Sequence, residues 1–413
     1  MILEGKRILL GVSGGIAVYK VAHLASRLTQ AGALVDVVMT EGATRFVTPL
    51  TFQAVTQRPA YVDQWQPIAD GEAARIAHVH LGRSADLFLV APATAHTLAR
   101  LAMGLADDLL TSAALSCTAP WLLAPAMESH MWQNAATQAN VGLLRARGVA
   151  FVGPAEGHLA SGAAGVGRMA EPEEIFEAAR AVLGRVGPLA GRSVLITAGG
   201  TREPLDPVRY IGNRSSGKMG AALARAARDL GARVTLVHGP LQVAVPWGVE
   251  ALFTETAQAM YEATMARAPQ VDILIGAAAV ADYRPAAPAA AKMKKEGATE
   301  LTIRLERTPD ILAAVGKQRT SSGRPRVVVG FAAETQDLLT YAQEKLIAKN
   351  LDLVVANDVS APDAGFEVDT NRVTLLRRER EPEAWPLLSK DAVAERVMAE
   401  VAALLAAMDE EGR

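Results

Sequence analysis

Short, nearly unbroken apolar runs recur along the chain, separated by stretches whose apolar positions return at helical spacing. A run without polar alternation predicts a strand buried on both faces, and helical spacing predicts a helix laid against it. In the first half, strands are predicted at Arg7–Val12, Leu34–Thr40, Asp86–Ala91, Trp121–Ala124 and Val149–Val152, with helices over Ile16–Gln30, Phe46–Val55, Thr97–Met103 and Pro172–Leu183. In the second half, strands are predicted at Ser193–Thr197, Arg233–Val237, Glu250–Thr254, Val271–Gly276, Arg326–Gly330 and Leu353–Ala356, with helices over Met219–Leu230 and Lys390–Ala406. Leu301–Arg307 and Arg372–Arg378 alternate polar with apolar positions and read as edge strands or a hairpin. Strands alternating with helices predict an α/β fold of two tandem doubly wound parallel sheets, Rossmann-like in plan. The Gly184–Gly191 stretch marks the expected boundary, giving domains 1–190 and 191–413.

In such sheets the strand-end loops gather on one rim, where ligands bind. The first loop, Gly11-Val-Ser13-Gly14-Gly15, is a strand–glycine–helix opening suited to a phosphate, but it is not G-x-G-x-x-G. Ser13, Thr40, the loop Pro92–His96 and the loop at Pro125 share that rim, so a phosphate held first could have its planar ring held by the later loops. Glu156–Met169 is glycine-rich and without period, and reads as a mobile flap. The longest polar connection is Thr201–Lys218, between a strand and a helix. Its close, Ser215-Ser216-Gly217-Lys218, sets two hydroxyls and a cation at a helix N-terminus, an anion site by type. Gly212–Lys218 spells G-x-x-x-x-G-K, yet Met219 stands where a P-loop needs Ser or Thr for magnesium, so another kind of phosphate or carboxylate loop is expected.

Composition narrows the class. Of 413 residues, 50% are hydrophobic and 5% aromatic, and the formal net charge is −2. That balance gives no global field for nucleic acid or an anionic membrane. The single cysteine, Cys117, excludes an internal disulfide and fits a reducing cytoplasm. The first apolar run is interrupted by Ser13-Gly14-Gly15, unlike a signal peptide or membrane span.

Several long ordered runs resemble the bifunctional coenzyme A family in which phosphopantothenoylcysteine decarboxylase is fused to phosphopantothenate–cysteine ligase. They include Arg202–Tyr210, Asn213 with Ser215–Gly220, Ala278–Arg284, Lys292–Lys295, Gly330–Glu334 and Lys349–Asp352. In the first half Gly14–Ala17, Ala91–Thr94, Ala106–Leu110 and Gly167–Met169 resemble the flavin-mononucleotide cysteine-decarboxylase superfamily. The resemblance implies a flavodoxin-like flavin domain followed by a ligase domain, with FMN, CTP and Mg2+ among the ligands. It also implies 4'-phosphopantothenate and L-cysteine as substrates, and trimers, often packed into dodecamers, with sites shared between subunits.

For the flavin half, the resemblance places the flavin against Ser13, Gly14, Gly15, Thr40, Ala91, Pro92 and Thr94, and makes His78 catalytic. An imidazole titrating near neutrality suits proton traffic at a thiol. His80 would share a face with His78 if the stretch is extended, and is read as surface or supporting; His23 and His238 are read as packing or surface. Met127 and Glu128 fall in the substrate loop, where the family has Pro-Ala-Met-Asn and this chain has Pro125-Ala-Met-Glu128. A carboxylate there would repel the substrate's own unless Glu128 is protonated or turned away. The family's flap Ala-Cys-Gly is Ala160-Ser161-Gly162 here, and Ser161 takes the acid's place. Either Ser161 relays a proton from His158, Glu128 or water, or the ligase half alone is active.

For the ligase half, the resemblance assigns the nucleotide to Gly276, Ala277, Ala278, Asp282, Lys292, Pro309, Asp310, Ile311, Leu312, Phe331, Lys345 and Lys349, with Asp282 also toward Mg2+. Lys345 and Lys349 are spaced i, i+4, on one helix face. Asn213 is the candidate for the second half-reaction, and Arg209, Ser215, Ser216 and Lys218 for substrate. A nicotinamide dehydrogenase lacks its fingerprint here, and a flavin-binding regulatory or scaffold protein would not need the ligase motifs.

Overall fold

Six strands of the first half form one parallel sheet in a computed structural model that describes residues 2–65, 68–70, 73–159, 162, 164–294, 300–334, 337–358, 368–378 and 380–411. They are β1 (Arg7–Val12), β2 (Leu34–Met39), β3 (Ala60–Tyr61), β4 (Leu87–Ala93), β5 (Trp121–Pro125) and β6 (Ala150–Phe151). Their order is β3-β2-β1-β4-β5-β6, the doubly wound order with its switch point between β1 and β4. Without the two-residue β3 the rest has the flavodoxin-like order 2-1-3-4-5. All seven residues of β4 are buried, as a central strand covered on both faces must be.

The second half repeats the plan. Its strands are β7 (Ser193–Ala198), β8 (Arg233–His238), β9 (Glu250–Phe253), β10 (Ile273–Gly276), β11 (Val327–Glu334), β12 (Leu353–Asp358), β13 (Val373–Arg377) and β14 (Glu383–Ala384). The order is β9-β8-β7-β10-β11-β12-β13-β14, with β13 and β14 antiparallel. Period-2 side chains split its core: Val194 and Ile196 pack on one face with Leu236, and Leu195 on the other with Val237 and Leu274.

The chain divides into two units, Met1–Gly184 and Arg185–Arg413. The division falls at the start of the Gly184–Gly191 stretch. Leu189 is fully buried in the second unit's core, and its NH donates to the Leu230 carbonyl at 2.8 Å, so this residue belongs to the second half.

Three local readings are corrected. The helix after β1 begins at Val18, not Ile16, because Gly14–Ala17 forms the turn beneath the rim. The stretch Phe46–Val55 starts its helix at Pro49, with proline in the first turn where no NH is needed. Of Leu301–Arg307 only Leu305–Arg307 is a strand, paired antiparallel with Tyr283–Pro285.

Candidate active sites

A cavity of 1040 Å³ opens at the β1/β4 switch point. Gly14, Gly15, Thr40 and Thr94 line it, with Met127 and Glu128 from the loop after β5. The glycines serve close approach: a Cβ on Gly14 would stand 2.7 Å from the carbonyl carbon of Gly42. Thr40 and Thr94 cap the two helices that begin at the rim, their hydroxyls accepting from the NH groups of Ala43 and Thr97. Ser13, Ala91 and Pro92 lie behind the wall rather than on it. The buried Ser13 hydroxyl donates to the Pro92 carbonyl at 2.6 Å and accepts from the Thr94 NH at 3.2 Å, so it ties the first loop to the third.

Arg100 lines the same cavity, pairs with Asp107 and, at 2.7 Å, with Asp108, and keeps a buried Nε without a partner. Arg168 on the flap strand Ala164–Arg168 likewise keeps a buried Nε without a partner. A cradle of glycines, helix N-termini and unsatisfied guanidinium NH groups fits the phosphate and polar edge of a flavin mononucleotide. Lys20, Glu41, Asp108 and His158 also line this cavity. Asp108 lies in the Ala106–Leu110 run and His158 in the expected flap, whereas Lys20 and Glu41 carry no motif of their own.

Glu128 lines the cavity and is engaged there as a helix cap. It is the N-cap of the helix Ser129–Gln133, accepting from the NH groups of His130 and Met131. Burial raises its pKa, but these bonds and the His130 ring outweigh that and hold the carboxyl below its ordinary value. His78 lies on a helix, Ala77–Ser84, and does not line this cavity. The helix overturns the shared face of His78 and His80: two positions span about 200° of a helix, so the rings point apart. Burial pushes the Cys117 thiol up, and it lies past the helix Leu109–Ser116. Ser161 lies outside the described residues, as do parts of the expected flap at 160 and 163.

The second unit holds a 480 Å³ cavity of its own at the ends of β7 and β10, lined by Gly276, Ala278, Asp282, Pro309, Asp310, Ile311, Leu312, Phe331, Lys345 and Lys349. A Cβ on Gly276 would meet Leu312 at 2.7 Å, which keeps the floor open to backbone. Lys345 Nζ donates to the Phe331 carbonyl at 2.6 Å, and Lys349 pairs with Asp310 at 2.7 Å. Lys345 sits in the helix Leu338–Ala348 and Lys349 is its C-cap, so both reach one wall. Asp310 caps the helix Ile311–Ser322 through the Ala313 NH. Burial raises its pKa, but Lys349, that NH and Lys345 together lower it below the usual carboxylate value.

Ala277 and Lys292 do not line this cavity, nor do Arg209, Asn213, Ser215, Ser216 or Lys218. Asn213 approaches it, its Nδ2 donating at 2.9 Å to the carbonyl of Val280 on the wall. Lys218 pairs with Asp369 at 2.6 Å. Arg209 is committed to Asp206 and to the Met293 carbonyl. Among the described residues no three His, Cys, Asp or Glu side chains converge as a metal cage. Asp282 and Asp310 are carboxylates that line this cavity, and a magnesium ion shared with phosphates would need only one or two such groups.

Residues 2–184 match the family described as Flavoprotein, and residues 189–405 the DNA/pantothenate metabolism flavoprotein C-terminal domain. The chain is 48% identical over 404 residues to the coenzyme A biosynthesis bifunctional protein CoaBC of Vibrio vulnificus, covering 98% of this chain and 99% of that one. It is 46% identical over 403 residues to the CoaBC protein of Escherichia coli, covering 97% and 98%. The chain belongs to the CoaBC family. A crystal structure of the C-terminal domain of a CoaBC protein is 40% identical, covers 52% of this chain and 96% of its own, and has a TM-score of 0.44.

As a CoaBC family member the chain is a bifunctional enzyme of coenzyme A biosynthesis, with a flavoprotein decarboxylase domain and a ligase domain. The dehydrogenase and scaffold readings fall away with that membership. No helix among the described residues is long and apolar enough to cross a membrane.

Proposed function

We propose that the second unit joins 4'-phosphopantothenate to L-cysteine at the expense of CTP, and that the first converts the product to 4'-phosphopantetheine with FMN. A free carboxylate does not acylate an amine unaided, so the ligase step runs through an acyl-cytidylate with release of pyrophosphate. The observation that carries this reading is the convergence of Lys345, Lys349 and the Ile311–Ser322 helix N-terminus on one cavity beside Asp282 and Phe331. Two ammonium groups and backbone NH groups suit a polyphosphate, while an aromatic ring at the strand end suits a base. Asp282, with Asp310 beside it, would hold Mg2+, which would offset the charge of the phosphates. Asn213 orients the activated ester for attack by the cysteine amine.

In the first unit FMN supplies the redox chemistry that gives the departing carboxylate an electron sink. The protein holds its phosphate at Gly14, Gly15, Thr40 and Thr94. Lys20, Arg100 and Arg168 line the same cavity as Glu128, each paired with an acidic side chain, and the two arginines keep an Nε–H for an anion. His158 is a titratable group of this cavity able to pass a proton to Ser161 or to substrate. His78 fits a homo-oligomer, a trimer or a dodecamer built of trimers, in which one subunit's helix Ala77–Ser84 completes a neighbour's site. A cytoplasmic location accords with the lone cysteine.

The test is assay of the two steps apart. CTP-dependent pyrophosphate release should require both phosphopantothenate and cysteine, and phosphopantothenoylcysteine offered to the flavin-loaded protein should yield phosphopantetheine. No CTP consumption would overturn the ligase reading; ligation without decarboxylation would leave the ligase half alone active.

A further inference from the structure

The loop Thr201–Lys218 is laced to the segment that follows β10. Gly200 bridges Ala279, the Ala281 NH donates to the Thr201 hydroxyl at 3.0 Å, and Asn213 reaches the Val280 carbonyl. The lacing continues to the basic run. The Ala289 NH donates to the Leu205 carbonyl at 2.9 Å. The Asp206 side chain, wholly buried, accepts the Met293 NH at 3.1 Å, and Arg209 Nη2 donates to the Met293 carbonyl at 2.9 Å.

Both backbone groups of one residue, Met293, are therefore gripped, its NH by a carboxylate and its C=O by a guanidinium. The grip is itself rigid. Asp206 also accepts the NH groups of Val208 and Arg209, each at 2.8 Å, and takes Arg209 Nε and Nη2 at 2.9 and 2.6 Å. These bonds hold its carboxyl far below the ordinary value, the Arg209 guanidinium first among the causes. A buried carboxylate with five donors is costly to misplace and needs all of them. Met293 lies between Lys292 and Lys294, so fixing its peptide fixes the direction in which Lys292 leaves the backbone.

We propose that Asp206 and Arg209 are positioning residues that clamp the Met293 backbone and so hold Lys292, exposed outside the cavity, ready to meet the nucleotide phosphates of the ligase site when CTP binds. This rests on the CTP reading above. The clamp lies in the same loop as Asn213, so the residue for activation and the residue for amine attack share one support. An empty clamp leaves Lys292 on a loosely held strand, and a cation that must be ordered at binding spends part of its interaction on that ordering.

The full-length protein is tested as Asp206→Asn and Arg209→Lys. An amide at 206 turns one acceptor into a donor facing Arg209 and the Met293 NH, while lysine at 209 keeps the charge but cannot fork. The first readout is tryptic cleavage after Lys292 and Lys294 in protein without substrate, followed by mass spectrometry. Asp206→Asn should speed it about tenfold, and Arg209→Lys by less, as local opening becomes easier. The second is the KM for CTP, which should rise about tenfold in Asp206→Asn with the KM for cysteine unchanged. Unchanged cleavage in both variants overturns the clamp. Faster cleavage with an unchanged KM for CTP overturns its service to the nucleotide. Should Asp206→Asn be cut throughout the chain, as an unfolded protein is, Arg209→Lys decides by the same two readouts. If the unaltered protein consumes no CTP, the nucleotide reading and this role fall together, whereas the tryptic result still judges the grip itself.

Discussion

The carboxylate of Glu128 accepts the backbone NH of His130 at 2.7 Å, and the His130 ring nitrogen Nδ1 lies 3.0 Å from its other oxygen. A residue that replaces a neutral amide at the substrate loop has thus been given local work as a helix cap. Its oxygens are met by donors at the start of its own helix, while the side chain still lines the cavity.

Replacing Glu128 with Asn should retain the cap, since Asn is as good an N-cap residue, and remove the negative charge beside the substrate carboxylate. The expected outcome is a lower KM for phosphopantothenoylcysteine. Steady-state decarboxylation measures it, and a higher KM would mean that the carboxylate helps bind substrate.

The Glu128 cap is also pH-dependent. Its folded pKa is depressed, so its contribution is present above the unfolded value, near 4.3 as a rough reference, and is lost as pH falls through the folded value. Glu128→Gln should therefore melt lower than the unaltered protein at neutral pH, and the gap should close in acid. Thermal melts across that range check the sign.

Gly14→Ala should empty the first site. The added Cβ would lie 2.7 Å from backbone of Gly42, and backbone cannot step aside cheaply; overpacking of this kind costs about 1–3 kcal/mol. The flavin-to-protein ratio of the purified variant should fall sharply, with ligase activity unchanged.

Asn213→Ala should let the cytidylate accumulate while product falls. The side chain leans on the Val280 carbonyl at the cavity wall and contributes nothing to the two lysines. Quenched-flow separation of the nucleotide species would show it, and normal turnover would sink the role.

Lys345→Met should raise the KM for CTP by about tenfold or more, the scale of one charge-assisted bond to phosphate. On the proposed reading Lys349→Met would remove a phosphate contact, and it also frees Asp310, whose pKa that lysine helps to lower. The second variant should lose binding more steeply as pH rises, because an unpaired carboxylate then faces the phosphates. Nucleotide titrations at two pH values separate the pair.

The two sheets were legible because buried parallel strands such as Leu87–Ala93 and Leu353–Asp358 leave near-continuous apolar runs. Strand-to-helix punctuation pointed to Gly14 and Thr40, which line the first cavity, whereas Asp282 and Asp310, which line the second, came from the family resemblance. Ala77–Ser84 was not: its eight residues carry two histidines and an arginine, and alternation over so short a span fits a strand as well as a helix. Tertiary packing decided it, Ser116 donating to the His78 carbonyl at 2.6 Å. Arg100 and Asp206 escaped for a related reason. Their importance comes from burial and partners brought together by folding, and a charged residue in a helix or turn reads as solvated until those partners are in place.

Every strand of either main sheet is drawn from one side of Gly184, and each sheet covers its faces with helices from its own stretch. The polypeptide is thus built of separable modules on a single thread. Expressed apart, 1–184 and 185–413 would each keep a closed interior, so a gene truncated to one of them would still encode a foldable product.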